Sequence, residues 1–438
     1  MMKLTVWGGA GEHGRSAYLL SGERVSLLLD CGVKKGGADP YPRIQPDQVR
    51  QLDAVLLSHA HEDHSVAIPL LYKSGYRGEV WTTRETAAQC RSYFASWREQ
   101  TERMNINLPY GMKDQEAIRY RYLEETAPRL TWFELLPGVE AMWGRSGHML
   151  GSVWFLVRTE GKRVFYSGDY TSESLLLADD RPALSDKPSS AMDLAIIDAA
   201  YGTDVTSQAD QLKHLEQTID STLQSGGKIL LPVPAVGRGQ EMMLWASRRW
   251  GNVPIVVEAP LMEGMKQLLS RSEWLRSTAN CEQTVRDQPG LALRANKWII
   301  PGNDTEREAL LHQYEASLWM VTDGMMQSRL AQWYYRRLAE DPRNLILLTG
   351  HMAKGTFGHR LLQQPSLFGH CSVLKVRYKV HQGMKDVLQM LACVPAKHVV
   401  LVHADRTETD RLRDLLLKEL KDERSRIYSI SAGEEVHF

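Results

Sequence analysis

The stretch Leu56–Ser65, LLSHAHEDHS, closes the apolar run DAVLL and places His59, His61, Asp63 and His64 within six residues. Two histidines separated by one residue project the same way from an extended turn and chelate one cation. The adjoining aspartate and histidine then face a second. A polar surface loop explains a lone histidine, but it is a poor explanation of HxHxDH directly after a buried strand. Four residues cannot fill two coordination shells, so further His or Asp residues are expected at the ends of other strands. His148 in RSGHMLGS, Asp169 ending FYSGD and His403 ending HVVLVHA meet that expectation. Taken singly, His148 and His403 also read as core histidines and Asp169 as a turn former or helix cap. Taken together they read as a metal constellation, with Asp169 placed to bridge two ions.

Around this motif the first 200 residues carry short β-rich runs: LTVWGG, SAYLL, RVSLLLD, DAVLLSH, SVWFLVR, KRVFYSG and DLAIIDA. The polar, Arg/Glu-rich stretch 86–128, with Trp97, Tyr110, Tyr120 and Tyr122, predicts an exposed helical excursion. From Thr206 the rhythm changes to strand alternating with helix: KILLPV, GRGQEMMLWASRRW, NVPIVVEA and, later, NLILLTG. That alternation predicts a parallel, doubly wound sheet. The tail, from HCSVLKVRYKV to RIYSISAGEEVHF, reads like the first part again. The expected organisation is therefore a first domain over 1–205, an inserted α/β domain over 206–360, and completion of the first domain by 361–438.

Bulk properties narrow the partners. With 53 basic and 53 acidic residues the chain has no net charge, which excludes binding of polyanions through bulk charge. Any nucleic-acid grip must be local, with bound divalent ions adding positive charge that a residue count omits. Cys31, Cys90, Cys281, Cys371 and Cys393 are odd in number and lack CxxC spacing, which predicts reduced thiols and no cysteine zinc site. No run approaches the ~18 apolar residues of a membrane span, and MMKLTVWGGAGEHG does not have the pattern of a signal peptide. The expectation is a soluble, cytoplasmic protein without membrane contact.

The order of strand-end Asp30 in LLLDCG, HxHxDH, a lone histidine and an aspartate after glycine resembles the metallo-β-lactamase superfamily over the first 200 residues. The resemblance implies an αββα sandwich. It also implies that His59, His61 and His148 bind one zinc ion, that Asp63, His64 and His403 bind another, and that Asp169 bridges them. Asp30 then orients the HxHxDH loop. Because this superfamily serves many chemistries, the remainder of the chain must choose among them. DLAIIDAAYGT, GGKILLPVPAVGRGQEMML, TDGMMQSRL, LLTGHMAKGT, KVHQGMKD and VLVHAD follow in the order of the β-CASP nucleases, a resemblance that spans the full chain.

By that resemblance the inserted domain is a β-CASP domain. Asp198 matches the branch's acidic motif, and His381 and His403 match its next two motifs. DNA-directed members commonly carry valine at the last of these positions, so His403 points to RNA. Asp198 and His381 resemble a carboxylate–imidazole pair that holds a proton near the leaving oxygen. The implied activity is endonucleolytic or 5′-exonucleolytic hydrolysis of RNA, single-stranded in the expected case, by a hydroxide activated between two metals, with Asp63, Asp198 and His381 catalytic. Zinc suits the His-rich set, and manganese or iron are compatible with it. Arg238, His351 and Lys354 sit in strand–glycine–helix turns and are candidate phosphate contacts. A homodimer is a further expectation. The chain departs from the family at DAAYG (usually ESTYG-like), at KVHQG (generally SAHxD, so that Gly383 replaces an aspartate), at TDGMMQSRL and at GHMAKGT. Two alternatives use other features: a small phosphodiester or ester substrate, compatible with these departures, and a non-catalytic RNA-binding scaffold subunit, which complete ligand motifs argue against.

Overall fold

In the computed structural model, residues 1–35, 39–103, 105–182, 191–276, 298–420 and 425–438 are described. The β-rich runs form two seven-stranded sheets. The first contains β1 (Lys3–Gly8), β2 (Ala17–Ser21), β3 (Ser26–Leu29), β4 (Ala54–Leu56), β5 (Glu79–Thr82) and β6 (Tyr120–Tyr122). The second contains β7 (Phe133–Leu136), β8 (Val139–Arg145), β9 (Val153–Thr159), β10 (Lys162–Tyr166) and β11 (Met192–Asp198). A parallel six-stranded sheet follows: β12 (Lys228–Pro232), β13 (Ile255–Val257), β14 (Trp298–Ile299), β15 (Ser317–Val321), β16 (Leu345–Leu348) and β17 (Ser372–Lys375), in the order β14-β13-β15-β12-β16-β17. The chain then returns, adding β18 (Ala396–Val402) and β19 (Arg426–Ser429) to the second sheet beside β11 and β20 (Glu435–His437) to the first beside β1.

The two seven-stranded sheets thus belong to one discontinuous unit interrupted by the six-stranded parallel one, the organisation expected of an αββα sandwich with an inserted α/β domain. One unit comprises Met1–Ser172, Asp179–Val205 and His381–Phe438, and the other Glu173–Ala178 and Thr206–Val380. The return to the first unit falls at His381 and not at 361, because β17 pairs in parallel with β16 from Leu345↔Ser372 to Leu348↔Lys375. Residues 173–178 join the insert because Glu241 accepts the Ser174 hydroxyl, Lys379 pairs with Glu173, and Leu177 bridges to Leu275.

Burial explains why these runs became strands. Every residue of β11 is buried, as expected of a central strand covered on both faces. On one side of the second sheet, Leu156, Ala195, Ile197 and Val399 pack with Val387 and Leu391 of the helix Met384–Cys393 and with Leu412 and Leu416 of the helix Arg406–Leu420. Each such leucine contributes roughly 1.5–3 kcal/mol by leaving water. The first sheet packs Leu19, Leu28 and Val55 against Phe94 and Trp97 of the helix Arg84–Arg103. Residues 86–128 are thus less exposed than their polarity suggests: this helix buries one face, and Tyr120 and Tyr122 belong to edge strand β6. Cys31, Cys90, Cys371 and Cys393 are free thiols, and Cys281 lies outside the described residues. Among the described residues no helix is long and apolar enough to cross a membrane.

Candidate metal centre

In the first unit, the C-terminal ends of parallel strands deliver most of the candidate residues. Past β4 the chain continues through Leu57, whose N–H donates to Trp81 at 2.9 Å, and turns at Ser58 into the short helix Glu62–Ser65. Asp169 follows β10, Asp198 ends β11 and His403 follows β18. These three strands are adjacent and parallel, so their ends share one edge of the sheet. His148 enters from the turn after β8 and His381 from the returning chain.

Asp30 is the buried pivot of the HxHxDH loop. Its carboxylate accepts the Ser58 N–H at 2.7 Å, the Ser58 hydroxyl at 2.6 Å, His64 Nδ1 at 2.7 Å and the Tyr166 hydroxyl at 2.5 Å. The bond to His64 Nδ1 assigns the proton to that nitrogen and turns the Nε2 lone pair toward the site. Gly32 permits this packing, since a Cβ there would stand 1.8 Å from the Asp63 carbonyl carbon.

Two donor sets meet at Asp169. In one, His61 Nδ1 lies 3.1 Å from both His59 Nε2 and His148 Nε2, while each of the latter lies 3.5 Å from Asp169 Oδ2. In the other, Asp63 Oδ2 lies 3.0 Å from His403 Nε2 and 3.9 Å from His64 Nε2, which is 3.3 Å from Asp169 Oδ1. The donor atoms fit divalent ions. Nitrogens 2.0–2.1 Å from a tetrahedral ion stand ~3.3 Å apart, close to these spacings. Buried His64 Nε2 has no hydrogen-bond partner, as a nitrogen reserved for a cation requires.

The electrostatics differ between the sets. Burial, followed by neighbouring imidazoles, holds His59 and His61 well below the usual imidazole range, leaving neutral ligands. Burial also works against protonation of His64 and His403. There the carboxylates of Asp169 and Asp63 prevail, raising His64 well above the usual range and His403 to about 9. Asp169 is held well below the carboxylate range: burial opposes this, but His403, His64, His381 and His59 outweigh it.

Beside the donor sets, fully buried Asp198 accepts His381 Nδ1 at 3.0 Å, the Tyr170 N–H at 3.2 Å and the Ala200 N–H at 3.0 Å. His381 Nδ1 lies 3.7 Å from Asp169 Oδ2, and the Tyr201 ring meets the His381 ring edge-on at 5.3 Å. His13 contacts the His403 ring at 5.8 Å. All the predicted metal-site residues, with Asp198 and His381, therefore converge in one unit. Motif reasoning missed Ser58, Tyr166 and Tyr201, although each stands inside a quoted motif. It also missed Tyr93, whose ring lies 5.7 Å from that of His61 and which no local pattern marks.

The candidate phosphate contacts belong to the other unit. Arg238 opens the helix Arg238–Arg249, and a Cβ on Gly350 or Gly324 would stand 2.5 or 3.4 Å from its Nη2. The loops after β15 and β16 thus close around its guanidinium. His351 and Lys354 are exposed in the second of these loops.

Three family models match consecutive parts of the chain: a β-lactamase superfamily domain over residues 26–233, a β-CASP domain over 242–361, and a Zn-dependent metallo-hydrolase RNA specificity domain over 370–428. The chain belongs to the β-CASP family of metallo-β-lactamase-fold proteins. This β-CASP protein is 29% identical to a transcription termination factor of Methanosarcina mazei, over 96% of this chain and 70% of that one. It is 25% identical to an endoribonuclease of Eremothecium gossypii (94% and 56%) and 24% identical to cleavage and polyadenylation specificity factor 73 of Drosophila melanogaster (97% and 63%). The chain thus spans 56–70% of the length of these relatives. A crystal structure of a protein of unknown function from Enterococcus faecalis shares the fold, with a TM-score of 0.59 at 14% identity and 99% coverage of both chains.

Proposed function

We propose that this β-CASP protein hydrolyses phosphodiester bonds in single-stranded RNA with two divalent ions, zinc by preference. His59, His61 and His148 would hold one, Asp63, His64 and His403 the other, and Asp169 both. The observation that carries this reading is the Asp169 carboxylate, whose Oδ2 lies 3.5 Å from His59 and His148 of one set and whose Oδ1 lies 3.3 Å from His64 of the other, with the Asp198–His381 pair beside it. The domain order, ending in an RNA specificity domain, and the RNA-processing relatives support the choice of substrate.

Held by these residues, divalent ions would supply a lowered pKa for water and positive charge against the phosphoryl oxygens. The chain's own residues supply the rest. Ser58, Asp30 and Tyr166 hold the loop rigid, so the donor atoms are preorganised. Asp198 accepts the Nδ1–H of His381 and fixes the ring, so that Nε2 is the atom left to deliver a proton to the departing oxygen. Asp198 acts despite being one methylene shorter than the family's usual glutamate, because Asp198 Oδ2 already lies at hydrogen-bond distance from His381.

The test is elemental analysis of the purified chain, combined with cleavage of end-labelled single-stranded RNA and matched DNA. About two zinc ions per chain and cleavage of RNA are expected. Metal-replete protein that cleaves neither polymer would overturn the nuclease reading, and a different ion would overturn the choice of zinc.

A further inference from the structure

We infer that Tyr93 is a substrate-binding residue of this site, its hydroxyl donating a hydrogen bond to a phosphate oxygen of the RNA strand. The inference rests on the RNA reading above. Tyr93 belongs to the twenty-residue helix Arg84–Arg103, and its ring meets that of His61 edge-on, with 5.7 Å between centroids and 86° between planes. Its position is not that of a mobile surface side chain. One turn earlier, Gln89 Nε2 donates to the Leu150 carbonyl at 2.9 Å, and Thr86 Oγ1 donates to the Gly151 carbonyl at 2.9 Å. Thr86, Gln89 and Tyr93 follow at intervals of three and four, so they share one helix face. Two of the three are thereby pinned to the turn that carries His148.

Five other tyrosines of this unit use their hydroxyls internally, whereas that of Tyr120 is enclosed without a partner. Tyr18 donates to the Gly9 carbonyl, Tyr72 to Gly78, Tyr76 to Glu79, Tyr110 to Val66 and Tyr166 to Asp30. Tyr93 is half-buried, and its hydroxyl makes no hydrogen bond among the described residues. The ring that meets His61 therefore keeps part of its surface uncovered by the chain. A phenol is a neutral donor near pH 7, and a phosphodiester presents only acceptors. A bond from this donor to a charged oxygen therefore adds affinity without adding charge to a region already dense in imidazoles.

The deciding experiment uses the full, metal-loaded chain carrying His381→Ala to stop cleavage, with and without Tyr93→Phe. Binding of a fluorescein-labelled single-stranded RNA oligonucleotide is read by anisotropy, alongside metal content. Phenylalanine keeps the ring against His61 and removes only the hydroxyl. The expected result is binding weaker by roughly ten- to hundredfold, the range for a hydrogen bond to a charged group, with unchanged metal content. Equal binding by the two proteins overturns this inference alone. Loss of metal in the Tyr93→Phe protein overturns it too, because the hydroxyl would then act through His61. If neither protein binds the oligonucleotide, the RNA reading fails and takes the inference with it.

Discussion

The two units use the same device for different ends. In each, adjacent parallel strands bring their C-terminal ends to one edge, the place where open α/β sheets assemble sites. In the first unit those ends carry Asp169, Asp198 and His403, and the site is strongly charged and mutually braced. In the inserted unit the corresponding loops after β12, β15 and β16 carry Gly324, Gly350 and the turn before Arg238, and they close around a single guanidinium. Strand-end geometry supplies convergence. Side-chain chemistry at those ends differs, carboxylates and imidazoles in the first unit and a guanidinium in the insert.

Asp169→Ala should separate the units most sharply. Loss of the carboxylate shared by both donor sets should remove most bound metal and take RNA cleavage below detection, while the inserted unit keeps its fold; elemental analysis and circular dichroism check this together. His381→Ala should keep its metal and lose ~10²–10⁴-fold in turnover, the usual range for a positioned proton donor. Retention of wild-type turnover would remove His381 from the mechanism. Asp30→Ala should weaken metal binding by about 10–100-fold, the usual cost of losing the carboxylate that holds a ligating histidine in place, here His64. Activity should return as metal concentration is raised, and a variant that excess metal does not rescue would show that Asp30 acts on the fold itself. Arg238→Ala should have the smallest effect: unchanged metal content, and RNA binding weaker by about tenfold at low salt, with the difference shrinking as salt rises. A change in metal content here would contradict the division of labour between the units.

Legibility in the sequence followed the range of the interactions involved. HxHxDH was readable because one short loop holds four of the donors, so local spacing carries the geometry. Asp198 and His381 were readable through motif order, yet their 3.0 Å bond joins residues 183 positions apart and no spacing rule predicts it. The return at His381 was misplaced because β17 has the same β-rich composition as the strands that follow, and only its pairing with β16 assigns it to the insert. Tyr120 and Tyr122 were read as part of a helical stretch because polarity marked the region, while backbone pairing with β5 made them a strand.

By itself the sequence determined the alternation of strands and helices, the donor types and the order in which they occur, because periodicity and residue chemistry are local properties. The tertiary structure alone decided which nitrogen of His64 faces the site, that Tyr166 and Ser58 brace Asp30, and that Tyr93 reaches His61 from a distant helix. Each of these depends on packing between segments far apart in the chain, where a difference of an ångström separates a hydrogen bond from none.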